Sequence, residues 1–277
     1  MPNPRPIPSL LAAAFAVLGA GPAASQSPNP NQEFDCIIEA RQMVDIRSPV
    51  EGLIEKVAAE RGEAVKKGQV LVVLESGPER AALAVARQRA EASGAVKSAE
   101  AKFDLALRKE KRAEDLARQN FVSTNAVEEA RTERSLAESE LKVARENQKM
   151  AELEMGRASE VLGMRTLRSP VNGVIVDRYL KAGEFANANV KDPILKVAEI
   201  DPLNVEVILP ASLYGQVQRG DRAEVSPETP KQKFTARVAV VDRVINAASG
   251  TFGVRLELPN EKQIVPAGAK CRLKFVK

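Results

Sequence analysis

Arg47–Glu75 reads RSPVEGLIEKVAAERGEAVKKGQVLVVLE, and Arg168–Glu199 reads RSPVNGVIVDRYLKAGEFANANVKDPILKVAE. The two stretches are copies of one pattern. Arg47-Ser48-Pro49-Val50 matches Arg168-Ser169-Pro170-Val171, Gly52 matches Gly173, and Gly62 matches Gly183 in register. After a three-residue insertion, Leu71 and Val73 match Leu195 and Val197. Within each copy, GLIEKV and GVIVDR are runs with β-branched residues, QVLVVLE and ILKVAE are apolar closers, and Gly and Pro stand at the turns. A unit of about thirty residues cannot bury a core alone. The two copies are therefore expected to pack on each other as halves of one flattened β-sandwich.

The stretch between the copies has a different character. Residues 76–163 are rich in Ala, Glu, Lys and Arg, with no proline after Pro78. Ser76, Pro78 and Glu79 fit a helix start, with Glu79 spaced for a capping box with Ser76, and Gly163 fits a helix end. The pattern breaks at NFVSTN, Asn120–Asn125, which suits a turn between two helical arms. In the second arm Val127, Ala130, Arg134, Ala137, Leu141, Ala144, Gln148, Ala151, Met155, Ala158 and Leu162 alternate by three and four. In the first arm the seam is Val85, Arg89, Ala92, Val96, Ala99, Phe103, Ala106, Glu110, Ala113 and Ala117. Folding the chain at the turn sets Phe103 against Leu141, Val96 against Gln148 and Glu110 against Arg134. An antiparallel coiled-coil hairpin follows, slender because its seam is rich in alanine and about 60 Å long at 1.5 Å per residue.

Residues 1–25 read as a secretory signal peptide: Arg5, the apolar run Ser9–Ala20, then small residues at Ala23–Ser25. The run is too short to span a bilayer. Residues 26–33 form a polar, proline-containing tail expected to be disordered. The sequence has no His, no Trp and two Cys, which removes the usual zinc and copper ligands and the commonest general base. No catalytic constellation, metal site or cofactor site is expected, and the chain reads as not an enzyme. The formal charge of +4 comes from interspersed signs and gives no footprint for nucleic acid. Cys36 and Cys271 lie at opposite ends of the mature chain. An exported protein can join them in a disulfide, or each can be a small apolar core residue; the sequence leaves both open.

From Leu203 the chain turns strand-like, with LNVEVIL, FTARVAVVD, GVRLEL and CRLKFVK, and one short helix over PASLYGQVQRGD. Several short strands with one helix read as a small barrel. EFDCIIEARQMVDI, before Arg47, is expected to add a strand to it. The expected architecture is α+β, elongated and multi-domain. The barrel takes 34–46 and 200–277, the sandwich 47–75 and 164–199, and the helical hairpin 76–163.

A β-sandwich of two such halves resembles a lipoyl or biotinyl-type domain. Carrier proteins of that type present a modifiable lysine at the tight turn between the halves. Here the long insert replaces that turn, which argues against lipoylation or biotinylation. A lipoyl-like domain split by a coiled-coil hairpin, behind a signal peptide, resembles the periplasmic adaptors (membrane fusion proteins) of tripartite efflux pumps. GLIEKVAAERGEAVKKGQVLVVLES and LRSPVNGVIVDRYLKAGEFAN are similar to that family's two half-motifs, and VPAGAKCRLKF to its closing barrel strand. The resemblance implies a periplasmic subunit that bridges an inner-membrane transporter, of the resistance–nodulation–division type or ATP-driven, to an outer-membrane channel. It also implies self-assembly into a ring. Family members that dock on a channel carry Arg, Leu four residues on and Ser seven further; Arg112, Leu116 and Ser123 have that spacing. The resemblance further leads us to expect no membrane-proximal domain after the barrel, because the sequence stops at Lys277. The competing reading is an exported coiled-coil scaffold with no part in transport.

Overall fold

The structure is a computed structural model that describes residues 32–188 and 192–276. The signal peptide, 1–25, and all but the last two residues of the tail lie outside the described residues.

The repeat folds into a sandwich whose halves trade equivalent hydrogen bonds. The first half supplies β2 (Gly52–Val57), β3 (Ala64–Val65) and β4 (Val70–Leu74); the second supplies β5 (Thr166–Arg168), β6 (Gly173–Arg178) and β7 (Phe185–Ala186). β2 pairs with β7 through Gly52↔Ala186, and β6 with β3 through Gly173↔Val65. Gly62 N–H donates to Ile175 O at 2.8 Å, and its counterpart Gly183 N–H donates to Ile54 O at 2.8 Å. Both glycines have positive φ, 85° and 87°, which is why the sequence keeps glycine there. Glu63 and Glu184 each accept from the backbone N–H three residues back, at 2.9 and 2.8 Å. The buried Ser48 and Ser169 hydroxyls each donate to the carbonyl two residues ahead, of Val50 and Val171. Ile54, Leu71, Leu74, Ile175, Leu195 and Val197 fill the core between the halves.

The two halves differ in what leaves them. The strand pair β4–β5 opens into helices. Its counterpart pair, β1 (Phe34–Ile46) with β8 (Leu195–Pro210), continues into a barrel. ILKVAE and LNVEVIL, separate strands in the sequence reading, form the single strand β8, which runs through Asp201-Pro202. β9 (Arg222–Pro227), β10 (Phe234–Val241), β11 (Thr251–Leu258) and β12 (Lys270–Val276) complete the barrel in the order β1-β12-β9-β10-β11-β8, closed by β1–β8 pairing. Inward residues alternate along each strand, as in Leu203, Val205, Val207 and Leu209 of β8, and make a second core. The short helix expected over PASLYGQVQRGD is one 3-10 turn, Ala211–Leu213.

The insert forms α1 (Gly77–Glu91), α2 (Gly94–Arg118) and α3 (Thr124–Gly163). The first arm is thus two helices, not one. Ala92 is extended (ψ 91°), with Ser93 and Gly94 following, and Gly94 opens α2. The break shifts the seam. From Val96 onward the expected residues face inward, but on α1 Leu83, Ala86 and Ala90 are the covered ones, while Val85, Arg89 and Ala92 are exposed. The capping box is also corrected. Ser76 occupies the N-cap position without a side-chain cap bond, and Glu79 turns to Arg165 instead.

Candidate functional site

The hairpin tip is built by two helix ends that meet back to back. α2 closes in a Schellman motif: Asn120, at φ 62°, donates its N–H to Ala117 O at 3.0 Å, and Phe121 N–H donates to Leu116 O at 3.0 Å. That motif sets Leu116 and Phe121 at equivalent ends of one bonded turn, and both are exposed, Phe121 to 73 %. Two residues on, Ser123 is the N-cap of α3, its hydroxyl accepting from Ala126 N–H at 3.3 Å. Arg112 is exposed one turn back from Leu116. The three residues selected by spacing therefore lie on one end of the hairpin: a cation, a partly open leucine, and a serine committed to capping. Phe121 was not selected. The signal that could have found it is an aromatic residue inside a polar turn, NFVSTN, where folding gives it nothing to bury against.

Below the tip, ion pairs fix the register of the arms. Glu110 meets Arg134 at 2.8 Å, with Glu110 among the least exposed charged side chains of the hairpin. Glu114 binds Arg131 at 2.7 Å, Lys109 binds Glu133 at 2.7 Å, Lys102 binds Glu140 at 3.0 Å and Glu100 binds Arg145 at 3.0 Å. From Glu114–Arg131 to Glu100–Arg145 the pairs run back along α2 as they run forward along α3, the signature of one antiparallel register. The Arg131 side-chain bond holds the Glu114 carboxyl below the ordinary glutamate range, opposed by burial, and Glu114 in turn raises Arg131.

The outer face of α3 carries a second periodicity. Leu136, Val143 and Met150 recur every seven residues and are 63, 54 and 59 % exposed. With Ala95, Ser139, Glu140 and Asn147, the first two line a shallow, mostly apolar groove.

Far from the tip, Cys36 and Cys271 stand directly opposite each other on β1 and β12, with Cα atoms 4.9 Å apart, and are joined as a disulfide. Among the described residues no group of three or more His, Cys, Asp or Glu is placed to hold a metal ion, and no helix is long and apolar enough to cross a membrane.

A sandwich interrupted between its halves by a helical hairpin, and continued through its other strand pair into a six-stranded barrel, is the arrangement that comparison with known proteins returns. The model of the CzcB-like, barrel-sandwich hybrid domain family matches residues 42–199. The chain belongs to that family. Residues 203–277 match the CusB-like, beta-barrel domain. The chain is 27% identical over 214 residues to the cobalt-zinc-cadmium resistance protein CzcB of Cupriavidus metallidurans, covering 76% of this chain and 38% of that protein. It is 30% identical over 112 residues to the cation efflux system protein CusB of Escherichia coli O157:H7, 40% of this chain and 27% of that one. The chain thus spans well under half the length of the curated relatives it matches. Among solved structures, MacA from Actinobacillus actinomycetemcomitans superposes with a TM-score of 0.69 at 22% identity, covering 89% of this chain and 78% of MacA. The membrane fusion protein Spr0693 from Streptococcus pneumoniae R6 gives 0.60 at 15% identity, over 89% of this chain and 99% of that one. Both show a shared fold.

Proposed function

We propose that this chain is a non-enzymatic periplasmic adaptor of a tripartite efflux or export pump. In this reading it bridges an inner-membrane transporter to an outer-membrane channel and seals the conduit between them. The observation that carries it is the hairpin: two arms locked in one register, projecting from a family-typical sandwich to an end where Leu116 and Phe121 are exposed. An exposed apolar pair beside Arg112 and Ser123 suits a groove between channel helices, with the leucine filling an apolar gap and the polar side chains reaching exposed carbonyls.

Self-assembly into a ring belongs to the same reading. It is supported by the Leu136, Val143 and Met150 stripe, which repeats with the period of a helical partner and is uncovered in the single chain. The proposed domains are the barrel (34–46 and 200–277), the sandwich (47–75 and 164–199) and the hairpin (76–163). An export signal over 1–25 would deliver the chain to the periplasm. The curated relatives carry cobalt-zinc-cadmium and cation in their names, and we propose a metal cation as the cargo class of the pump. The chain itself has no histidine and both cysteines are bonded.

Site-specific photo-crosslinking in intact cells tests the docking reading. A probe at Leu116 is expected to capture an outer-membrane channel, and a probe at Lys142 on the mid-hairpin surface is not. Capture of only soluble periplasmic proteins from Leu116 would replace the adaptor with an exported scaffold.

A further inference from the structure

Arg165 is the first residue after the hairpin returns to the sandwich, and its side chain and backbone together touch three separate pieces of the molecule. Nε and Nη2 donate to Glu79 Oε1, in the first turn of α1, at 3.1 and 2.5 Å. Nη1 donates to the carbonyl of Glu51, just before β2, at 2.5 Å. Its own carbonyl accepts from Leu74 N–H, at the end of β4, at 2.8 Å. The guanidinium lies over Gly52, where a Cβ would come within 2.5 Å of Nη1. Both partners of the ion pair are largely covered, 20 % exposed for Arg165 and 15 % for Glu79.

The repeat supplies the comparison that gives this contact its meaning. Gly173 is the counterpart of Gly52, and there the space is taken by backbone, the carbonyl of Ala198 on β8. At that exit β1 and β8 both pass from sandwich into barrel, hydrogen-bonded to each other on either side of a bulge where Ala40–Gln42 faces Glu199–Leu203. At the hairpin exit no strand continues. The chain leaves β4 through Glu75 and Ser76 and returns through Met164 and Arg165, and a side chain takes the place that backbone holds at the other end. Glu79 is gripped by one oxygen only, its Oε2 being buried without a partner. A carboxylate held that way gives back part of what the pair gains, so the contact can be broken and remade.

We propose that Arg165 is the positioning residue that sets the angle of the hairpin on the sandwich. It acts as a clasp on Glu79, Glu51 and Gly52 whose opening lets the hairpin swing while sandwich and barrel move as one body. Its purpose rests on the adaptor reading, since a swinging rod is how transporter motion would reach a channel. Its existence does not, because the joint is a property of the chain alone.

The test is a distance distribution by pulsed electron paramagnetic resonance on the purified full chain. Spin labels go on Lys142→Cys in the hairpin and Lys56→Cys in the sandwich. A second pair, Lys56→Cys with Lys233→Cys, reports on sandwich and barrel. Native protein is expected to give one narrow peak for each pair. Arg165→Ala and Glu79→Ala should broaden the hairpin distribution at least twofold and leave the barrel pair narrow. Arg165→Lys, which keeps the charge but lacks the fixed planar fork of the guanidinium, should fall between native and Arg165→Ala. Gly52→Ala should also shift or broaden the hairpin peak with every charge in place, because its methyl displaces the guanidinium. A hairpin peak as narrow as native in Arg165→Ala overturns the clasp, as does equal broadening of the barrel pair. If Arg165→Ala fails to fold, a hairpin peak of native width and native position in both Gly52→Ala and Glu79→Ala overturns it. The photo-crosslink at Leu116 is read separately, so a failed adaptor and a failed clasp give different results.

Discussion

Two glutamates of the hairpin are held ionised by their surroundings. Glu114 is lowered first by its bond from Arg131, while Glu79 is lowered first by a bond to its own backbone N–H and further by Arg165, burial opposing in both. A carboxyl lower in the folded than in the unfolded chain binds fewer protons when folded. Its contribution is therefore complete above the unfolded value, and it is lost as pH falls through the folded one. Thermal melts followed by helical circular dichroism should be flat from neutrality to about pH 5 and fall steeply below about pH 4. The double variant Glu79→Gln/Glu114→Gln should melt lower at neutrality and lose less on acidification. An unchanged acid slope in that variant would remove both residues from the account. Glu114 sits beside a seam the sequence shows plainly, so its partner was within reach of reading. Arg165 was not, since its partner Glu79 is 86 positions away and nothing local to either residue marks the pair.

At the scale of elements, the repeat was legible because both copies use the same glycine turn, serine bond and glutamate bond, and each needs the same residue types in place. The break at Ala92–Gly94 was not, because alanine suits either a seam or a free face and a helix tolerates one glycine at a cost of about 1 kcal/mol. The join of two strands into β8 was hidden by Asp201-Pro202, since proline ordinarily ends a sheet run. α3 bears two apolar periodicities, and only the inner one is used within the chain. Covering Val143 in an assembly removes apolar surface from water, and a charge in its place opposes this. Val143→Asp is accordingly expected to melt within about 1 kcal/mol of native as a single chain, because the position is exposed. The same variant should lose at least tenfold in self-association by sedimentation velocity at high concentration. Unchanged association would assign the stripe to some other partner, and a large drop in melting temperature would make it part of the hairpin's own core.

For the whole molecule the decisive feature is that barrel and sandwich have separate cores but share two strands, β1 and β8. Strands common to two cores couple their unfolding, whereas the hairpin is joined to them by the two chain crossings at its base. The disulfide bears on the coupled part. Cys36 and Cys271 are 235 residues apart in sequence and directly opposite on the first and last barrel strands, so the bond ties the strand that opens the barrel to the one that closes it. Restricting so long a loop in the unfolded chain stabilises by about 5 kcal/mol in the chain-entropy model. Cys36→Ala/Cys271→Ala should then lose hydrogen-exchange protection in β1, β8 and β12, in the sandwich strands that depend on β1 and β8, and only weakly in α2 and α3. Reductant applied to the native chain should reproduce the pattern. Loss confined to β12 would mean that the shared strands do not couple the two cores. Equal loss in the hairpin would mean that the molecule unfolds as a single unit, with no independent joint at the hairpin base.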